Sequence, residues 1–317
     1  MITEVQRNNA LWDGFGTRIE TPMTSKQAMI EAGLNWEVKP MDIIVASDDD
    51  IDIPTHKAIV RTTDNHIMGV VGNKYQPVQN IEAFEFMDSL VHDGLMQYEI
   101  VGSYRDGKRV WLLGKTGSFD VVPGDEVNKY LFLMNSHDGS SALRCFFTSV
   151  RVWCQNMIRH LFSKHAKDGV RLHHTKNIKE HFTEARDVLR LGNQNFNEFE
   201  RTAKYISTKQ INTQRLDTFV EELFPIPKLI LEENPDKVPH SIQKARNKVT
   251  ELFEYGVGND IPNVRGTGWA ALNAVTEYAN YYRTARGNQK QERRFEYSLF
   301  GSGVNLIDKA QQLLVAA

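Results

Sequence analysis

Two Asp-Gly turns in this 317-residue chain carry side chains able to hold an anion or move a proton. The first, Arg105-Asp106-Gly107-Lys108 with Arg109 beside it, concentrates positive charge at one point. The second, His137-Asp138-Gly139-Ser140, sets an imidazole next to a carboxylate, the pairing an acid–base step would use. Asn135, Ser136 and Asp138 are also the residue types that hydrogen-bond a turn's own backbone, so a purely structural turn competes with the acid–base reading. Beyond it, from Ser140 to Phe182, Arg144, Arg151, Arg159, Lys164, Lys167, Arg171, Lys176 and Lys179 face only Asp168 and Glu180, with five histidines interleaved. The whole chain has a formal net charge of −2, so this stretch predicts a polarised surface, whose commonest use is to bind polyanions.

The flanking residues say what must hold these turns. Asp-Gly between apolar runs predicts a hairpin, because the turn needs positive φ and glycine supplies it at no steric cost. Tyr98–Val101 and Val110–Leu113 are the strands of the first hairpin, and Tyr130–Met134 and Ala142–Phe147 those of the second. The second pair is nearly continuous in apolar residues, as strands buried on both faces are. Val150, Trp153, Cys154, Met157, Ile158, Leu161 and Phe162 follow at helical spacing, with Arg151, Gln155 and Arg159 four apart on the other side. A helix with one apolar and one basic stripe is expected there.

A third hairpin is expected around Thr63-Asp64-Asn65, followed by a helix from about Asn80 that stops at Gly94. Antiparallel hairpins with helices packed on one face define an α+β fold. Beyond Thr183 strand signals nearly vanish: 183–206, 214–224, 240–255, 267–287 and 302–315 read as helices separated by prolines and glycines. Three regions result: an acidic, turn-rich segment over 1–57, an α+β core over 58–182 and a mainly helical part over 183–317.

Composition excludes several classes. With 41% hydrophobic and 25% charged residues the chain is ordinary for a globular protein, and no apolar run approaches the roughly 20 residues of a membrane span. Its start lacks the apolar stretch of a signal peptide, so a cytoplasmic protein without membrane partners is expected. Cys145 and Cys154 read as buried small hydrophobes, and no C-x-x-C or H-x-x-x-H pair suggests zinc. Asp48-Asp49-Asp50-Ile51-Asp52 reads as a solvated loop. Gly69–Lys74 lacks the G-x-x-x-x-G-K-[ST] spacing of a phosphate loop, so no nucleotide hydrolysis, metal, cofactor or catalytic residue is assigned.

Asn135-Ser136-His137-Asp138-Gly139-Ser140, followed by Arg151-Val152-Trp153-Cys154-Gln155-Asn156, resembles the paired signature segments of the phage- and plasmid-encoded family called domain of unknown function nine-three-two. Val70–Asn80, Arg109-Val110-Trp111, Arg265-Gly266-Thr267 and Asn273–Tyr278 resemble it in the same order, while Trp153 replaces an expected small aliphatic residue. The order of helix, hairpins and basic helix is also similar to the core of the Rad-fifty-two type of single-strand annealing proteins. That resemblance implies an ATP-independent, oligomeric protein, in ring form in those proteins, that binds single-stranded DNA by its backbone. Arg144, Arg151, Arg159 and Lys164 would neutralise phosphates, and Arg105, Lys108 and Arg109 would clamp the strand. Two alternatives stay open: a nucleic-acid-modifying enzyme centred on His137 and Asp138, and a host-interaction protein without nucleic-acid activity.

Overall fold

The computed structural model describes residues 10–159, 169–178, 180–182, 193–233, 238–285, 287 and 289–316. Its centre is an antiparallel sheet in the order β1 (Gly16–Arg18), β5 (Gln97–Tyr104), β6 (Arg109–Asp120), β7 (Glu126–Ser136), β8 (Leu143–Arg151) and β10 (Val170–Leu172), with β9 (Met157–Arg159) also paired to β8. A smaller antiparallel sheet holds β2 (Val38–Val45), β3 (Ile51–Arg61) and β4 (Ile67–Gly72). The expected boundary at residue 58 therefore falls inside β3.

All three predicted hairpins form. The first is longer than a two-residue turn: Arg105, Asp106 and Gly107 are all left-handed, and pairing resumes at Tyr104 with Arg109. The apolar runs of β7 and β8 are buried on both faces because two layers cover the sheet. On one face Val110, Leu112, Leu131, Leu133 and Cys145 pack with Phe84, Met87 and Leu90 of α2 (Asn80–His92) and Ala28 and Met29 of α1 (Ser25–Glu31). On the other, Trp111, Phe132 and Phe146 pack with Trp12 and with Phe295 and Leu299 of a late helix, Lys290–Phe300, which closes the second face.

The second half is helical: α3 (Asn193–Ser207), α4 (Thr213–Leu223), α5 (Lys228–Glu233), α6 (His240–Tyr255), α7 (Gly268–Glu277) running into a π turn over Tyr278–Tyr282, α8 (Lys290–Phe300) and α9 (Ser302–Ala316). A core shared by α3, α4, α6, α7 and α9 takes in Phe119, Val127 and Ile158 from the sheet and Val121 just beyond it, so these helices are a layer on its far end. Trp269 is fully buried there.

The basic helix expected from Val150 is corrected. Val150 and Arg151 end β8, residues 152–154 turn, and Met157–Arg159 returns as β9 against Val150–Thr148. Thr148, Ser149, Val150 and Arg151 are all buried, polar and apolar alike, so neither side of the strand faces solvent and its pattern mimics helical spacing. Gln155 then sits at φ 54°, which no helix interior allows, and the turn closes through Arg151 N–H to Asn156 O.

Candidate nucleic-acid interface

The predicted cations are sorted by burial into two sets. Arg105, Arg109 and Arg144 line one open groove of about 390 Å³, together with Arg293 and Glu296 of α8, Ser140, Ser141 and the Tyr104 and Tyr297 rings. They arrive there from three places: the tip of the β5–β6 hairpin, the β7–β8 end of the sheet and the exposed side of the helix covering it. Arg105 Nη2 lies 2.6 Å from Glu296 Oε2, and this pair is partly exposed. The Arg144 guanidinium lies 5.3 Å from the Phe300 ring centre. Lys108 is half-buried and does not line the groove.

Arg151 and Arg159 do not belong to this surface. Arg151 is 2% exposed and donates Nε and Nη2 to the two oxygens of Asp125, at 2.7 and 2.9 Å. Its remaining hydrogens go to the carbonyls of Val257 and Gly258 and to Asn259 Oδ1, and Trp269 Nε1 donates to Asp125 Oδ2 at 2.7 Å. The site ties β8 to the helical layer. Arg159 donates to Leu299 O at 2.7 Å, with its guanidinium 4.2 Å from the Phe146 ring centre. Lys164 lies outside the described residues.

The Asn135–Ser140 turn is a brace rather than an open acid–base pair. His137 is fully buried, and its Nε2 lies 2.8 Å from Asn80 Oδ1. Since Asn80 Nδ2 donates to Leu34 O, Oδ1 is the acceptor and His137 carries its proton on Nε2. Burial pushes the His137 imidazole down to about 3, so it stays neutral at neutral pH. Asn135 Nδ2 donates to Val78 O, and Tyr75 donates to Ser136 O, fastening the turn to the segment entering α2. Asp138 accepts from Ser136 Oγ, Ser140 N–H and Arg109 Nη1, the last at 2.5 Å. Burial pulls its carboxyl upward, but these hydrogen bonds outweigh it and hold the group at about 2. Gly139 sits at φ 74° with Val71 so close that an added Cβ would come within 2.6 Å of its Cγ1. Arg109 is thus buried and spent on the turn, through Asp138, Ser136 and Ser140, and contributes charge to the groove wall rather than a mobile donor.

Burial also pushes the Cys154 thiol up to about 12, consistent with an inert core residue. Among the described residues no group of three His, Cys, Asp or Glu could hold a metal ion. No described helix is long and apolar enough to cross a membrane.

In the sequence Arg293 stands in a run of cations and aromatics from Trp269 to Arg294 whose aromatics read as helix core rather than a binding surface, and Glu296 and Tyr297 carry no signal of their own because no helix is expected over Lys290–Phe300.

These features define an α+β protein with an arginine-lined groove between a sheet end and its covering helix. The family model described as a domain of unknown function (DUF932) matches residues 67–300, and the chain belongs to that family. That span holds every groove arginine. No curated protein and no solved structure matches the chain.

Proposed function

We propose that this protein binds single-stranded DNA through its phosphates in the arginine groove, without nucleotide hydrolysis, as an intracellular homo-oligomer that serves strand annealing. The observation carrying this reading is the convergence of Arg105, Arg109, Arg144 and Arg293 from separate segments on one open groove. Four guanidiniums gather there with the carboxylates of Glu296 and Asp138, in a chain whose formal net charge is slightly negative. Serine and tyrosine hydroxyls among them suit phosphate oxygens, and an open groove favours a flexible single strand. Self-association finds its support in the small sheet, where Ile44, Val45, Ile51, Ile67 and Val70 are exposed. The acid–base reading of His137 has no such support, since the ring is sealed from solvent.

The test is binding of a labelled single strand across a salt series by the protein and by an Arg144→Glu/Arg293→Glu variant. The expected result is a loss of at least about tenfold in affinity at low salt and a shallower salt dependence, since fewer counterions are released. Unchanged affinity in a folded variant would refute the groove as the DNA site. Annealing of complementary strands by the unmodified protein, lost in the same variant, tests the final step.

A further inference from the structure

On the other side of the β5–β6 hairpin tip lies a second cavity, of about 520 Å³, that shares Tyr104 with the arginine groove. Its chemistry is the opposite. Carboxylates of Glu292 and Asp106 face it, and Glu292 is the helical neighbour of the groove residue Arg293. Glu292 Oε2 is buried without a hydrogen-bond partner, while the backbone N–H of Arg105 donates to the same carboxyl group. Burial pushes this carboxyl upward against the opposing hydrogen bond from the Arg105 backbone, and the neighbouring Asp106 charge adds to the rise. Phe15, Trp36 and Tyr104 supply aromatic surface, and at Gly14 and Gly33 an added Cβ would meet nothing within 4 Å, so the wall is open there. Arg61 stands over Trp36, 5.3 Å from the ring centre; Asp64 holds its Nε and Nη2, and Nη1 donates to Asp106 O at 3.1 Å.

We propose that this cavity is a nucleobase pocket selective for guanine, one strand position away from the phosphates held in the arginine groove; the proposal rests on the single-strand reading of that groove. Two carboxylates disfavour a phosphate beside Glu292, so a base is the part of the strand better suited to this cavity. Aromatic walls accept any base, but the acceptors do not. The Watson–Crick edge of guanine presents N1–H and the 2-amino group side by side, while thymine offers one N–H and adenine and cytosine only an exocyclic amine. Guanine alone can feed both carboxylates and still turn O6 toward Arg61.

The experiment compares three labelled strands of equal length: oligothymidine, the same strand with isolated guanines, and the same strand with hypoxanthine at those positions, which removes only the 2-amino group. Isolated guanines should tighten binding by about tenfold, and hypoxanthine should forfeit most of that gain. Glu292→Gln should bring the guanine strand down to the oligothymidine level while leaving oligothymidine affinity and its salt dependence unchanged. Asp106→Asn, which suits the left-handed backbone at that position, should act in the same direction. Equal affinity for all three strands, or guanine preference surviving in both variants, overturns the guanine pocket and leaves the phosphate groove standing. Failure of the unmodified protein to bind even oligothymidine at low salt overturns both.

Discussion

Replacing Arg151 by Met should unfold this protein long before it affects any ligand. The guanidinium is buried with Asp125, whose side chain is fully enclosed, and it also satisfies the carbonyls of Val257 and Gly258. Removing one partner of such a pair strands the other charge in a low-dielectric interior, at a cost of about 3–5 kcal/mol. Two carbonyls that lose their donor add about 1 kcal/mol each unless the chain relaxes to admit water. With water reaching those carbonyls, a destabilisation of about 4 kcal/mol is the working figure, a large share of the roughly 5–15 kcal/mol that holds a domain folded. Asp125→Asn should also destabilise, because it removes the charge while Trp269 Nε1 still needs its acceptor. The informative variant is Arg151→Met with Asp125→Leu, which removes both charges and should cost clearly less than the two single changes added together. Urea titration followed by Trp fluorescence measures all of these. An Arg151→Met shift under about 1 kcal/mol, accompanied by weaker DNA binding, would show that the guanidinium works at a surface and not in the core.

Acid should weaken the fold early. Unfolded imidazoles take a proton near pH 6.5, whereas burial pushes His137 down to about 3 and His174 down to about 4. Within that window the unfolded chain alone gains the proton, so stability is full above about pH 6.5 and falls by about 1.4 kcal/mol per pH unit for each ring below it. Urea midpoints measured from pH 7 to 5 should drop accordingly, and His174→Phe should halve the slope; an unchanged slope would contradict the burial of that ring. Asp138 behaves in the opposite sense: its carboxyl, held at about 2, contributes above about pH 4 and yields only as pH falls through 2. Gly102→Ala should be severely destabilising, since its Cβ would land on Phe15 O and within 2.8 Å of Trp111 Cζ2, and thermal melting would show it. A melting point within a few degrees of the parent would mean that β1 does not pair with β5 as closely as Gly16 with Gly102 implies.

The hairpins were legible because their signal is local: Asp106-Gly107 and Asp138-Gly139 announce a reversal whatever surrounds them. The helix after β8 was misread because its signal is relational. Val150, Met157 and Ile158 satisfy helical spacing and strand pairing equally well, and only the late helix that buries Arg159 against Leu299 and Phe146 removes the polar face a helix would need. Charge suffers from the same blindness. Arg144 and Arg151 are alike in sequence, yet the acid that claims Arg151 lies 26 positions upstream, and the groove around Arg144 is completed by Arg293, 149 positions downstream. A local surplus of arginine therefore marks where cations are needed but not which of them meet solvent. In this family member, the residues that keep the signature turns in place, Arg109, Arg151 and His137, are those that sequence alone would nominate for binding or catalysis. On the proposed reading, binding falls instead to the half-buried Arg144 and the exposed Arg293, which lie outside both signature segments. Comparison of relatives at those two positions and at Glu292 would accordingly say more about ligand than the turns themselves.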